Sequence, residues 1–180
     1  MELEIIKLVQ SIKNLFLDTM FLTLSYCASF FAVCIVFVML FFINKKYSFK
    51  FVFVVCLNIG INYLLKVIIN RPRPYQVDFQ ITNSLQALGN SFPSGHMVCA
   101  TTIVFFFVLV FYKNIKHIWL KMLFIFLCGL YLIGVAISRM YLGQHYLSDI
   151  IAGAVLGVVL CLFFMGLIKV FNNHFSTKTR

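Results

Sequence analysis

The chain has 180 residues and a formal net charge of +10, and 62% of its residues are hydrophobic while only 11% are charged. This composition lies far outside that of soluble globular domains and indicates an integral membrane protein. The positive charge is distributed among the loops between apolar segments rather than on a soluble surface, so no nucleic-acid partner is expected.

The N-terminal segment, residues 1–17, places apolar and charged side chains at helical spacing, which predicts an amphipathic helix lying in the membrane interface. Two alternatives stay open, a frayed leader and part of a sixth span. No small-residue cleavage site follows a short apolar core, so no removable signal peptide is expected.

Apolar segments long enough to cross the hydrocarbon core follow at residues 21–43, 51–69, 97–112, 118–137 and 150–171. They predict an all-α, polytopic membrane helical bundle of about five transmembrane helices. The chain shows no internal repeat and no low-complexity linker, so residues 1–180 are expected to form a single domain. Within it, the bundle takes residues 18–172 and a cytoplasmic tail takes residues 173–180.

The charged residues are sorted between the two sides of this predicted bundle. One side receives nine basic residues and no acidic one: Lys45, Lys46, Lys50, Lys113, Lys116, Lys121, Lys169, Lys178 and Arg180. The other side receives all five acidic residues and the remaining six basic ones. Because lysine and arginine are retained in the cytoplasm, the first side is predicted to face inward, with His117 and His174 as ordinary interfacial residues.

The predicted loop over residues 70–92 is unusually long for a compact bundle, which is typical of functional loops. Its sequence Arg71-Pro72-Arg73-Pro74 cannot be helical, because each proline removes a backbone donor and drives its predecessor to an extended geometry. Two guanidinium groups are therefore expected on a stiff segment.

Two helical stripes stand out within the predicted spans. Asn58, Asn62, Lys66 and Asn70 recur every four residues and should face the bundle interior, with interhelical hydrogen bonding and a snorkelling lysine as the plainer interpretation. His145, Asp149, Gly153 and Gly157 share the same spacing. The two glycines are expected to permit close helix packing.

The six cysteines lie singly within the predicted spans: Cys27, Cys34, Cys56, Cys99, Cys128 and Cys161. They show neither paired metal spacing nor a disulfide framework, and we interpret them as small apolar packing residues.

Three groups of reactive residues lie on the predicted outer face. They are Lys66 with Arg73-Pro74 after six intervening residues, then Pro93-Ser94-Gly95-His96, then Ser138-Arg139 followed by His145 and Asp149. Together they resemble the three signature motifs of the type 2 phosphatidic acid phosphatase superfamily, which includes membrane lipid phosphate phosphatases. The resemblance spans residues 66–149 and implies an acid phosphatase/vanadium haloperoxidase-like core.

The residue types fit phosphate chemistry without the resemblance. Lys66, Arg73 and Arg139 supply positive donors for phosphoryl oxygens, and phosphoryl transfer depends mainly on positioning and charge neutralisation. Neither a metal nor a cofactor is therefore expected.

His145 is the candidate nucleophile. Asp149, one helical turn later, can accept a hydrogen bond from one ring nitrogen and leave the other free to attack phosphorus. Taken alone, a histidine and an aspartate at this spacing would more often be a simple helix pair. The resemblance implies these same roles and a covalent phosphohistidine intermediate.

His96 is the candidate general acid and base, with a satisfied polar residue at a span end as the alternative. Ser94 is expected to cap the following helix, where Gly95 and the free N–H groups of the first turn face an anion. The resemblance implies that Ser94 and Gly95 bind phosphate, and that Pro74, Pro93 and Ser138 support the site. Arg71 either competes with Arg73 for phosphate, binds a lipid headgroup or pairs with Asp78.

The predicted function is metal-independent hydrolysis of a terminal phosphate from a lipid phosphate or polyprenyl diphosphate in a bacterial cytoplasmic membrane, with the site on the extracytoplasmic side. Undecaprenyl diphosphate is favoured as the substrate and phosphatidylglycerol phosphate comes next. The alternatives are a lipid A phosphatase or phosphotransferase, and a non-enzymatic lipid-binding or transport protein. A vanadate-dependent haloperoxidase ranks lower, because this chain is mostly lipid-facing.

Overall fold

The computed structural model describes residues 1–85 and 89–178. Within these residues the chain is helical and contains no strand. Its eight α-helices are α1 (Glu2–Gln10), α2 (Leu15–Tyr26), α3 (Phe30–Ile43), α4 (Lys45–Ile69), α5 (Pro74–Val77), α6 (Gly95–Phe111), α7 (Ile118–Tyr141) and α8 (Leu147–Lys178). A 3₁₀ turn, Tyr112–Asn114, follows α6.

Helices α4, α6, α7 and α8 are each long and apolar enough to cross a membrane, and α2 with α3 makes a fifth crossing if the bent pair is one span. This confirms the predicted membrane bundle of about five spans. Large apolar side chains such as Trp119, Phe126 and Phe163 are exposed on its surface. Such an exterior suits lipid, because apolar side chains need no hydrogen bonds and the backbone groups in the middle of each helix bond within that helix.

The first predicted span is not one continuous helix. Its chain bends by 51° between α2 and α3. Ser29 Oγ donates to the Tyr26 carbonyl and accepts from the Phe31 N–H, while the Tyr131 hydroxyl donates to the Cys27 carbonyl. These side-chain hydrogen bonds replace the helical ladder at the bend. An apolar run of this composition gives no sign of such a break.

The N-terminal helix is shorter than residues 1–17. It ends at Gln10, and α2 already begins at Leu15, with Asn14 accepting the Leu17 N–H as its cap. Ile6 is fully buried against the ends of α6, α7 and α8, and Gln10 Nε2 donates to the carbonyls of Thr82 and Tyr141. Helix α1 therefore packs across one end of the bundle.

The α6–α8 contact confirms the predicted role of the two glycines. A Cβ atom added to Gly153 would lie 2.6 Å from the Ser94 carbonyl oxygen, and one added to Gly157 would lie 2.9 Å from the Val98 carbonyl oxygen and from Thr101 Cβ. Only glycine permits this approach, which fixes the start of α8 against the start of α6.

The cysteine interpretation holds for Cys161, which is buried in the core, but it is wrong for Cys27, Cys34 and Cys56. Those three thiols lie exposed on the bundle. A thiol behaves as a small apolar group, so in contact with lipid it is not driven into the core as it would be in water. The side chains of His174, Lys178 and Arg180, which the charge pattern assigns to the cytoplasmic side, lie outside the described residues.

Candidate active site

Three parts of the chain meet at the end of the bundle that α1 covers. They are the end of α4 with the loop after it, the start of α6, and the connection from α7 to α8. Arg73, Arg139, His145 and Asp149 are almost fully buried here. The structure thus brings together side chains that lie up to 83 positions apart between Lys66 and Asp149.

The polar stripe of α4 holds the long loop in place. Lys66 Nζ donates to the Asn90 carbonyl at 2.7 Å, and Asn90 Nδ2 returns a hydrogen bond to the Lys66 carbonyl at 2.8 Å. Asn58 and Asn62 are buried as predicted, and Asn62 Nδ2 donates to the Pro93 carbonyl. Asn70 departs from the stripe, because it is exposed and ends α4 in the left-handed conformation at φ 48°.

Arg73 lies in the extended segment that the prolines predict. It precedes Pro74, which opens the single-turn helix α5, and Gln76 Oε1 accepts its backbone N–H. Its side chain reaches inward, where Nε donates to the Gly89 carbonyl at 2.9 Å and Nη1 donates to Gln144 Oε1 at 3.1 Å. The guanidinium group is therefore held on two sides by neutral oxygens.

Arg139 is the most deeply placed of the site cations, with 1% of its surface exposed. Nη1 donates to Ser25 Oγ of α2. Among the described residues, its Nε has no hydrogen-bond partner. A buried guanidinium with an open donor is suited to an anionic ligand, because an unpaired buried donor is costly.

His145 and Asp149 lie side by side, with 3.5 Å between His145 Nδ1 and Asp149 Oδ2. The carboxylate is held by the Tyr146 N–H at 3.0 Å and by Arg71 Nη1 at 2.7 Å. Burial, together with the nearby positive charges of Arg139, Arg73 and Lys66, holds the pKa of His145 well below its ordinary value. The imidazole is therefore neutral near pH 7.

Arg71 does not pair with Asp78, so that alternative is wrong. Asp78 instead pairs with Lys7 of α1 at 2.9 Å. Arg71 bonds to Asp149, to Ser148 Oγ at 2.6 Å and to Glu2 Oε2 at 2.9 Å, and its guanidinium stacks 3.9 Å above the Tyr146 ring. These contacts make Arg71 a support of the Asp149 carboxylate.

Ser94 occupies the N-cap position of α6 but makes no capping hydrogen bond, which corrects that expectation. Its backbone N–H donates to the Asp149 carbonyl at 3.0 Å, and its buried Oγ has no partner among the described residues. The close approach at Gly153 sets this geometry, since the Ser94 backbone packs directly on α8. The hydroxyl is thereby left available to a ligand.

His96 and Gly95 line a cavity of about 340 Å³ with Ser29, Asn62 and Cys99. His96 interacts electrostatically with Arg139 and His145. The structure therefore places His96 within the field of the same cations that surround His145. Ser138 directly precedes Arg139 and is fully buried, and its hydroxyl donates to the Val135 carbonyl.

Several residues of the site were not anticipated from the sequence. Gln144 is fully buried and joins Arg73 to Asn83, Ser25 bonds to Arg139, and Glu2 bonds to both Arg71 and the Ser148 N–H. Only Gln144 carried a local signal, because it directly precedes His145. Ser25 and Glu2 lie far from the motifs, in segments whose packing the sequence does not reveal.

Comparison with known proteins agrees with this architecture. A family model described as the PAP2 superfamily matches residues 47–172, which is more than half of the chain. The chain therefore belongs to the PAP2 superfamily, as the three motifs predicted. It is an integral membrane protein of that family.

Two curated relatives from Bacillus subtilis (strain 168) match parts of the chain. Phosphatidylglycerophosphatase B is 33% identical over 105 residues, covering 56% of this chain and 47% of the relative. Undecaprenyl-diphosphatase BcrC is 29% identical over 104 residues, covering 58% of this chain and 49% of the relative. The chain thus spans about half the length of each of these relatives.

Two solved structures share the fold over nearly the whole chain. A PAP2-type phosphatidylglycerolphosphate phosphatase from Bacillus subtilis superposes with a TM-score of 0.78 at 26% identity, covering 93% of this chain and 84% of that one. Aquifex aeolicus LpxE superposes with a TM-score of 0.75 at 23% identity, covering 92% and 94% of the two chains. At 23% identity, the similarity to Aquifex aeolicus LpxE concerns the fold alone.

Proposed function

We propose that the protein is a metal-independent phosphatase that removes a terminal phosphate from a membrane lipid. The observation that carries this proposal is the convergence of Lys66, Arg73 and Arg139 around the His145–Asp149 pair at one buried end of the bundle. Three positive groups match the charge of a phosphate dianion or a terminal diphosphate. In a largely buried site their attraction for developing charge exceeds what it would be in water.

In the first step, the neutral His145 attacks phosphorus through the nitrogen that does not face Asp149. A P–N bond forms as the bond from phosphorus to the lipid oxygen breaks. His96 is protonated once the negative charge of the bound phosphate offsets the nearby cations, and it gives its proton to that oxygen. Asp149 holds the His145 ring and compensates its developing positive charge. The product is a phosphohistidine and a free alcohol or a shortened phosphate.

In the second step, His96 takes a proton from a water molecule and the resulting hydroxide attacks phosphorus. The P–N bond breaks and inorganic phosphate leaves, which restores both histidines. Arg73 and Arg139 bind the phosphoryl oxygens in both steps, while Ser94 Oγ and the N–H groups at the start of α6 contribute further donors.

The proposed substrates are undecaprenyl diphosphate first and phosphatidylglycerol phosphate second. The names of the two curated relatives, an undecaprenyl-diphosphatase and a phosphatidylglycerophosphatase, support this choice of class. The charge asymmetry between the bundle ends supports an orientation in a bacterial cytoplasmic membrane with the site on the extracytoplasmic face.

The test is phosphate release by purified protein in detergent with EDTA present. Undecaprenyl diphosphate, phosphatidylglycerol phosphate and phosphatidic acid are supplied in parallel, and we expect phosphate from at least one. Rapid quenching at alkaline pH should trap an acid-labile phosphoprotein in the wild type but not in His145→Ala. If no lipid in the panel loses phosphate, the proposed function is wrong.

A further inference from the structure

A second cavity lies at the end of the bundle opposite the candidate site. It encloses about 640 Å³ between α4, α6 and α8. Three lysines line it: Lys50 from the second turn of α4, Lys113 from the 3₁₀ turn after α6, and Lys169 from α8. Tyr112 belongs to the same wall, and Lys121 of α7 lies 5.1 Å from the centre of its ring. The cavity is thus strongly basic.

The described residues supply no counter-charge to these lysines. Within the described residues, Lys50, Lys113 and Lys169 make neither a hydrogen bond nor an ion pair. The whole chain has five acidic residues, Glu2, Glu4, Asp18, Asp78 and Asp149. All five lie at the candidate-site end, where they bond to partners on α1, α7 and the long loop. Among the described residues, none therefore supplies an anion to the three lysines.

The rest of the cavity is apolar and open. Val108 and Leu109 of α6 face Leu162 and Met165 of α8, and these residues lie a turn or so deeper in the bundle than Lys113 and Lys169. A Cβ atom added to Gly166 in the same wall would meet no other atom within 4 Å. The cavity therefore combines a basic rim with an apolar interior, which matches an amphipathic ligand.

We propose that this cavity binds an anionic phospholipid, with the headgroup phosphate on the three lysines and the upper acyl chains against α6 and α8. Basic pockets between transmembrane helices are suited to anionic headgroups, and each lysine near the surface is expected to contribute about fivefold in affinity. The lipid would join the three helices whose other ends carry Lys66, His96 and Asp149. Its binding would therefore stabilise the bundle, whatever reaction the other end performs.

Native mass spectrometry of the protein in a neutral detergent tests the proposal. Phosphatidylglycerol is the probe, because its phosphodiester offers the candidate site no terminal phosphate, and phosphatidylcholine is the comparison lipid. We expect retention of one phosphatidylglycerol and a rise in melting temperature with it. The triple variant Lys50→Gln, Lys113→Gln, Lys169→Gln should weaken binding on the order of a hundredfold.

The matched control is Lys45→Gln, Lys46→Gln, Lys116→Gln. It removes the same charge from exposed positions at the same end of the bundle but leaves the cavity intact. We expect it to weaken binding by no more than a few-fold. Equal losses in the two triple variants would overturn the proposal, because the attraction would then come from the general surface potential.

A second variant tests the apolar interior of the cavity independently of its lysines. Gly166→Leu keeps all three lysines and fills the apolar interior, so it should reduce phosphatidylglycerol retention while thermal stability without lipid stays close to wild type. Unchanged retention in Gly166→Leu would contradict the proposed acyl-chain position. Equal stabilisation by sn-glycero-3-phosphoglycerol, the deacylated headgroup, would also overturn the lipid assignment, because that phosphodiester carries the charge without the chains and offers the candidate site no terminal phosphate.

Discussion

The two ends of the bundle are built from the same long helices but treat their charges in opposite ways. At the candidate-site end, Arg71 is bonded to Asp149 and Glu2, and other polar side chains are held by loop carbonyls. At the other end, Lys50, Lys113 and Lys169 surround a cavity that no carboxylate of the described residues lines. A bonded network holds reacting groups in one geometry, whereas uncompensated cations attract an anion from outside the chain.

The two ends also differ in how deeply their charged groups are buried. Asp149 and Arg139 are taken out of solvent almost completely, and such groups need fixed partners or a ligand. Lys113 and Lys169 are exposed, and neither has a partner among the described residues. Substitutions at the first end should therefore change catalysis, and matched substitutions at the second end should not.

The largest contrast is expected between two histidine-to-alanine variants. His145→Ala removes the proposed nucleophile and should lower the rate of phosphate release by more than about 10⁴-fold. His117→Ala removes an exposed histidine at the start of α7 and should leave the rate unchanged. Both rates are measured on the same lipid in detergent. Full activity of His145→Ala would rule out the phosphohistidine route.

The second contrast concerns two cations that stack on tyrosine rings. Arg71→Gln removes the 2.7 Å bond to Asp149 and should lower the turnover number about a hundredfold, because the carboxylate beside His145 Nδ1 is then no longer held in position. Arg71→Lys should restore part of it. Lys121→Gln, the counterpart over Tyr112, should leave turnover unchanged. An effect of Arg71→Gln on KM alone would instead indicate direct binding of substrate.

A smaller effect is expected from the glycine contacts that set α6 against α8. Gly153→Ala puts a Cβ atom 2.6 Å from the Ser94 carbonyl oxygen and should destabilise the fold by about 1–3 kcal/mol while displacing Ser94. Gly129→Ala in α7 meets nothing within 4 Å and should be neutral or slightly stabilising. Thermal unfolding of the two variants in one detergent measures the difference. Equal stability would show that α6 can shift to accommodate the added methyl group without a loss in the free energy of unfolding.

The smallest predicted effect is the pH dependence that His145 adds to stability. Its folded-state pKa is lowered by burial and by the cations Arg139, Arg73 and Lys66, so below about pH 6.5 the unfolded chain binds more protons. Stability present above that pH should decline as the pH falls, by at most about 5 °C in melting temperature per pH unit. His145→Gln should reduce this dependence, and His117→Gln should leave it intact. The same slope in all three proteins would contradict the burial of a neutral imidazole.

Much of the architecture follows from local properties of the chain. The four long spans are apolar stretches of membrane length, and the interior positions of Asn58 and Asn62 follow from polar residues at helical spacing. Family membership follows from three motifs in the right order. Gly153 and Gly157 predict a close helix contact, because they lie four residues apart on the same face of α8.

The incorrect expectations concern contacts between distant segments. The sequence predicts one helix over residues 21–43. The bend within them is stabilised by the Tyr131 hydroxyl, which donates to the Cys27 carbonyl from more than 100 positions away and so gives no local signal. The capping role of Ser94 failed because α8 holds its backbone instead. Asp78 lost Arg71 as a partner because α1 brings Lys7 to it and Glu2 to Arg71.

The sequence by itself determined a membrane bundle, the polarity of its two ends and the identity of the chemical groups, since hydropathy, charge and motif spacing all act over a few residues. Only the tertiary structure decided which cation supports Asp149, which serine meets Arg139 and which three lysines share a cavity. The reason is geometric, because such pairings depend on how helices cross and bend. Those angles arise from packing across the whole bundle, as the glycine contact between α6 and α8 shows.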